Sequence, residues 1–380
     1  MTANLTSNIW KLTNFLENTN NKFNKEEILS NLPADLIDDA IKSISTWENY
    51  SPTPLVKLNK LNDQLKFKNI YYKDEDKRFD LKSFKALGGA FAVYKIASEK
   101  NNITVSTATA GNHGRSVAWG AQRLGLKCKI FISEFVSESR AEAMRKLDAE
   151  VIRVKGNYDN SLKECIKQSK ENNWEIVQDV SWEGYKEVPK LIMAGYTIMI
   201  KEILDEVKSN SISHVFLQAG VGGMAAAMIA GFAKLSQNIP KFIIVEPENA
   251  DCVFQSIKNN KPTTVDIKKE TVMGGMSCGD VSSIAWEILK NSSNYCLTIS
   301  DEAISTTVAL LAEKRLSDEK IIAGECAVPG IIALISSFNN KEYLDKLELN
   351  EQSNVLLFGC EGLTDSAMYQ KLLSDGLQKI

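Results

Sequence analysis

From about residue 69 onward, short β-branched runs alternate with helical stretches, and this alternation constrains the fold more than any other feature. Residues 69–73, 104–107, 128–132, 150–154, 175–178, 214–218 and 242–246 read as strands. Between them the spacing predicts helices over 84–99, 113–124, 138–147, 160–171 and 189–208. A further helix follows a glycine-rich turn and runs to about Lys234. Strands alternating with helices in this way build βαβ units and parallel sheets, so the expected class is α/β. At 380 residues the chain has room for two domains. Residues 1–50 are polar and Asn-rich, and read as an N-terminal arm with an amphipathic piece at 34–47. The two prolines of S-P-T-P-L-V-K-L (51–58) make that segment extended.

Composition narrows the function. A hydrophobic content of 44% with 24% charged residues describes a globular protein, and the net charge of -3 shows no basic excess. No stretch interleaves aromatics with Lys and Arg, so no nucleic-acid partner is expected and small-molecule chemistry is favoured. The seven cysteines are odd in number and never spaced C-x-x-C, which argues against a disulfide framework and a structural metal site. The N-terminus lacks the pattern of a signal peptide, and the most apolar stretch (219–233) falls short of a membrane span. A cytoplasmic protein without membrane association is the expectation.

Three motifs carry the chemistry. S-F-K-A-L-G-G-A (83–90) puts Lys85 at the start of a helix, where a lysine is ordinarily a solvated residue. T-A-T-A-G-N-H-G (107–114) follows a strand, and Gly111 and Asn112 suit a turn into a helix whose first N–H groups can hold a carboxylate. A-G-V-G-G-M-A (219–225) follows H-V-F-L-Q, and its backbone N–H groups can cradle a phosphate. Read alone, that loop leaves a rival open. Gly220-x-Gly222-x-x-Ala225 also satisfies the dinucleotide fingerprint, with Glu246 placed for a ribose hydroxyl. The other two motifs do not belong to a Rossmann dehydrogenase.

With Q-D-V-S-W-E-G-Y (178–185) and M-G-G-M-S-C-G (273–279), these motifs make the chain resemble the tryptophan-synthase-like, type II family of pyridoxal phosphate (PLP) enzymes. The resemblance runs from about Ser51 to the C-terminus and is closest to the diaminopropionate ammonia-lyases and the serine/threonine dehydratases. It implies two α/β domains with parallel or mixed sheets and the cofactor between them. The larger would be 1–88 and 189–380, the inserted smaller one 89–188. Lys85 would be the Schiff-base lysine, and Asn112 would bond the pyridoxal hydroxyl. Thr109, Ala110, Gly111 and His113 would grip the substrate's α-carboxylate. Gly220, Val221, Gly222, Gly223 and Met224 would hold the phosphate. Glu325 falls at the cofactor's edge, and Cys360, or Thr364, falls where a small residue faces the pyridine nitrogen. A homodimer is implied as well.

The Q-D-x-x-W-E-G-Y stretch resembles the lyases rather than plain dehydratases, and gives Asp179 the role of the carboxylate that takes the α-proton of an L substrate. One position departs from the pattern. The lyases carry T-D-G-N-H-G, with a second aspartate serving the D isomer, whereas here Ala110 gives the dehydratase-like T-A-G-N-H-G. The resemblance therefore implies PLP-dependent α,β-elimination of a β-substituted L-amino acid, foremost 2,3-diaminopropionate to pyruvate and ammonia. The alternative is a hydroxyamino-acid dehydratase acting on serine, threonine or 3-hydroxyaspartate. A β-replacement synthase and a catalytically inert PLP-binding regulator are further readings.

Overall fold

The computed structural model describes residues 4–109, 111–207 and 212–380, so Ala110 lies outside the described residues. Among these residues the strands are β1 (Leu12–Glu17), β2 (Leu55–Lys57), β3 (Asn69–Asp74), β4 (Thr104–Ala108), β5 (Lys127–Ser133), β6 (Glu150–Val154), β7 (Glu175–Ile176), β8 (His214–Gln218), β9 (Lys241–Pro247), β10 (Tyr295–Ile299) and β11 (Asn354–Gly359). They form two sheets, and the α/β expectation holds. The chain packs as two compact units: Met1–Asn31, Pro52–Lys77 and Met199–Ile380 in one, Leu32–Ser51 and Arg78–Ile198 in the other.

The first unit contains a mixed sheet of order β1-β10-β9-β8-β11-β3-β2. Its five inner strands are parallel, and the edge strands β1 and β2 pair antiparallel. Every residue of β8, β10 and β11 is buried, as strands covered on both faces must be. This explains continuous apolar runs such as V-L-L-F in place of alternation. The residues read as an arm supply β1, which closes one sheet edge by pairing with β10.

The second unit holds a parallel sheet of order β6-β5-β4-β7. Ala108, Phe131 and Cys165 form a buried cluster in it, against which Trp174 and Leu162 pack. This unit is wider than the 89–188 segment suggested by resemblance. It takes in the helix Ala34–Ser45, which buries Ile37, Ala40 and Ile44, and the helix Lys85–Glu99. Tight helix packing draws that second helix in. A Cβ on Gly88 would lie 2.4 Å from Tyr196 Cε1, and one on Gly195 would lie 2.8 Å from Gly88 Cα. The small residues after Lys85 thus let the helix Lys85–Glu99 seat directly on the helix Glu187–Tyr196.

Candidate active site

Among the parallel strands of each sheet the chain reverses its direction of travel once, and there the loops leaving two adjacent strands part to opposite sides. Ligands bind at such switch points, beyond the carboxyl ends of the strands. In the small sheet the reversal lies between β4 and β7, which pair in parallel. The loop after β4 carries Thr109, Gly111, Asn112 and His113, and the segment after β7 carries Gln178 and Asp179. The two motifs are adjacent because the strands are.

Local chemistry fixes both. Thr109 Oγ1 accepts from the Gly111 N–H (3.0 Å) and the Gly114 N–H (3.2 Å), shaping the entry to the helix Asn112–Arg123. Gln178 extends β7 with its side chain. Its Oε1 accepts from Thr107 Oγ1 (2.9 Å) and the Ala108 N–H (3.1 Å), while its Nε2 donates to the Ala108 carbonyl (2.9 Å). Tyr185, stacked on Trp182, donates its hydroxyl to the Ile176 carbonyl (2.8 Å) and accepts from the Gln178 N–H (2.9 Å). The Q-D-V-S-W-E-G-Y motif is therefore a turn folded back to hold its own aspartate.

Lys85, first residue of its helix, places Nζ in an ion pair with Asp179 Oδ2. Its ammonium also lies 5.4 Å from the Phe84 ring centre and 5.9 Å from that of Tyr196. His113 is buried, with Nε2 2.8 Å from the Val177 carbonyl and Nδ1 3.8 Å from Asp179 Oδ2. Burial pushes the His113 pKa down, with Lys85 helping, and this outweighs the opposite pull of Asp179 and of the Val177 bond. For Asp179 burial pushes upward, but the opposing charges and hydrogen bonds hold its carboxyl well below the usual range. Since His113 is held neutral, the cation that keeps Asp179 ionised near neutral pH is Lys85.

In the large sheet the reversal lies between β8 and β11. Gly220, Val221, Gly222, Gly223 and Met224 follow β8 and open the helix Gly223–Leu235. Gly222 has φ +87° and its Cβ would lie 2.8 Å from Leu289 Cδ1, so only glycine fits the turn. The helix start supplies N–H groups without intrahelical partners, a donor set that fits a phosphate. Cys360 directly follows β11. Its thiol donates to the Cys326 carbonyl (3.1 Å), which also accepts from Gln218 Nε2 (3.0 Å). Glu325 opens the turn Glu325–Ala327, and its carboxylate, the Cys326 thiol and the Glu361 carboxylate lie within 4.8 Å of one another. Thr364 lies four residues past Cys360 in the following turn, partly exposed.

The rival ribose-binding acid is ruled out by position. Glu246 is fully buried and its two oxygens accept from the Val253 N–H (2.9 Å) and the Phe254 N–H (2.7 Å), starting the helix Cys252–Asn259. Sequence reasoning missed Tyr185, Gln178 and Tyr196 as parts of the site's frame. Tyr185 and Gln178 were visible as the ends of the Q-to-Y motif. Tyr196 had no sequence signal beyond its neighbour Gly195.

A lysine amine paired with a carboxylate in one unit, and a phosphate-type glycine turn and a thiol at strand ends in the other, are the groups of a PLP-handling α/β protein. The chain belongs to the family "Pyridoxal-phosphate dependent enzyme", whose model matches residues 46–361, and it has the type II PLP-enzyme fold. More particularly, it is 34% identical to the diaminopropionate ammonia-lyase of Escherichia coli over 352 residues, 86% of this chain and 88% of that protein. It is 30% identical to a biosynthetic L-threonine dehydratase of Haemophilus influenzae over 231 residues, 60% of this chain and 43% of that protein. The crystal structure of the Escherichia coli lyase in complex with D-serine matches with a TM-score of 0.89 at 30% identity, covering 97% of this chain and 98% of that one. The same enzyme with an aminoacrylate-PLP azomethine intermediate matches at 0.87 with the same coverage. Among the described residues, no helix is long and apolar enough to cross a membrane.

Proposed function

We propose that the protein is an ammonia-lyase that eliminates the β-amino group of L-2,3-diaminopropionate, giving pyruvate and ammonia. The observation that carries this reading is the Lys85–Asp179 ion pair at the switch point of the small sheet, directly beside the T-A-G-N-H turn. PLP, bound through its aldehyde, supplies the electron sink that makes the substrate's α-proton acidic. Lys85 would provide the amine that holds that aldehyde. Thr109, Ala110, Gly111 and His113 hold the substrate's α-carboxylate, next to the start of the helix Asn112–Arg123. These residues lie in the 89–188 segment, to which we assign substrate binding, with cofactor binding assigned to 1–88 and 189–380, a division by role that cuts across the two compact units. Asp179 takes the α-proton at its carboxylate oxygen, a contribution of about 10²–10⁴ in rate for a well-placed base.

The glycine turn from Gly220 to Met224 holds the phosphate, Asn112 the ring hydroxyl, and Glu325 borders the ring. Cys360 would meet the pyridine nitrogen as a neutral group, with Thr364 the alternative. A neutral partner would leave that nitrogen unprotonated, which suits elimination over transamination. A second reading, elimination of water from a hydroxyamino acid, is favoured by one observation: Ala110 removes a carboxylate that would attract a second substrate ammonium. We assign the protein to the cytoplasm; among the described residues no disulfide joins its cysteines, which fits a reducing compartment. We assign the active form as a homodimer, checked by light scattering.

A panel of 2,3-diaminopropionate, serine, threonine and 3-hydroxyaspartate scored by keto-acid release decides between the readings. Release from diaminopropionate alone supports the first, and release from the hydroxyamino acids alone supports the second. In Lys85→Ala, borohydride-reducible cofactor attachment and multiple turnover should both disappear. A variant that keeps both removes Lys85 from its role.

A further inference from the structure

The segment that ends at Asp179 is anchored residue by residue. Val177 N–H donates to the Ser106 carbonyl (2.8 Å), Tyr185 bonds Ile176 and Gln178, and His113 bonds Val177. The His113 bond has a chemical consequence. A carbonyl only accepts, so Nε2 carries the hydrogen and donates it to Val177, and in the neutral ring Nδ1 is then a bare acceptor. Nδ1 is buried and has no hydrogen-bond partner among the described residues. It faces Asp179 Oδ2 at 3.8 Å, so two acceptors look at each other with no proton between them. A buried acceptor left unmatched costs free energy. The mismatch ends when Asp179 becomes a carboxylic acid.

We propose that His113 is a positioning residue for the protonated form of Asp179: once Oδ2 carries the substrate's α-proton, its O–H donates to His113 Nδ1. The inference rests on Asp179 being the base. In the step the C–H bond breaks, its electron pair stays with the substrate, and the proton forms the O–H bond of Asp179. No bond to His113 forms beyond the hydrogen bond, and the aspartate returns to its ionised form when that proton leaves to solvent. Asp179 and Lys85 are the charged groups facing His113, and Lys85 serves the ionised form of Asp179 as His113 serves the neutral one. The site thus offers a partner to the aspartate in both of its protonation states.

Two substitutions separate this role from a merely structural one. In His113→Gln the amide occupies the Nε2 position and keeps the bond to Val177, but leaves nothing at Nδ1. In His113→Asn the amide carbonyl occupies the Nδ1 position and the Val177 bond is lost. The proposal expects His113→Gln to lower kcat for L-2,3-diaminopropionate about ten- to a hundredfold, with KM little changed, the scale of one unsatisfied buried donor. His113→Asn should recover most of that loss. The reverse order, Gln active and Asn impaired, means that His113 only props Val177, and overturns the proposal.

A readout independent of turnover comes from the imidazole ¹⁵N spectrum of the holoenzyme, because the chain has only two histidines, His113 and His214. The His113→Gln spectrum identifies the signal of His113. A neutral ring protonated at Nε2 supports the proposal; protonation at Nδ1 near neutral pH refutes it, whatever turnover the variants show. Asp179→Asn tells the two readings apart. Full L-isomer turnover in Asp179→Asn removes the base and the inference together. Loss in Asp179→Asn with full activity in His113→Gln removes the inference alone.

Discussion

At Asp179 a carboxylate that burial would neutralise is held ionised by the charges and hydrogen bonds around it, the Lys85 ammonium among them. That balance suits the base role proposed for Asp179, which needs the carboxylate ionised before it takes the α-proton and protonated after. Ala110 bears on which isomer can use it. Two carboxylates would approach the α-carbon from opposite faces, so each isomer needs its own base, and a methyl group cannot accept a proton. The enzyme should therefore be strongly selective for L-2,3-diaminopropionate. Ala110→Asp should raise kcat/KM for the D isomer by about 10²–10⁴, the usual worth of a general base. Comparable kcat/KM for both isomers in the parent would refute the assignment.

Among the elements, those with strong local signals were legible and those set by neighbours were not. The reading of β8 as 214–218 matches because its apolar run is too short for a helix and is stopped at once by the glycine turn. The helix read as 189–208 is instead two, Glu187–Tyr196 and Ile198–Val207. The hydroxyl of Thr197 donates to the Ala194 carbonyl (2.6 Å) at the break, a competition between side chain and ladder that periodicity does not register. Edge strand β1 went unread because its half-exposed pattern depends on β10, far along the chain. The strand read as 175–178 ends at Ile176, since the Gln178 side chain takes over the pairing. The end of β3 yields a pH prediction. Burial, then the neighbouring Asp76 and Glu75, raise the Asp74 pKa to about 6, against a lowering bond from the Asp76 N–H. A carboxyl raised above its unfolded value of 3.8 favours the folded state while protonated. That stability is present below about pH 4 and is lost as pH rises through about 6. Asp74→Asn should gain about 2–3 kcal/mol over the parent at pH 8 and nothing at pH 4. Urea unfolding at the two pH values measures it, and an equal effect at both would contradict the sign.

For the whole molecule, the division into units is set by contacts that no local stretch encodes, which is why composition did not locate it. Residues 32–51 precede β2 and β3 in sequence yet belong with 78–198. The cause is a cluster in which the Trp47 ring lies 5.9 Å from both Phe79 and Trp119, with the Arg123 guanidinium 4.3 Å above Trp47. Leu32, Ile37 and Ile44 add side chains with no exposed surface. At about 1.5–3 kcal/mol for each fully buried apolar side chain, these three and Trp47 contribute about 6–12 kcal/mol. That is comparable to the total stability of a domain, about 5–15 kcal/mol. A fragment spanning 78–198 should therefore fail to fold cooperatively alone. The same fragment should melt cooperatively when 32–51 is joined ahead of it by a short Gly-Ser linker. Such a linker suffices because Arg78 Nη1 lies 3.5 Å from the Ser51 carbonyl, so the two ends to be joined are already close. Thermal unfolding followed by circular dichroism compares the two. If 78–198 alone unfolds cooperatively at the temperature of the joined form, residues 32–51 are an accessory and the energetic argument is wrong.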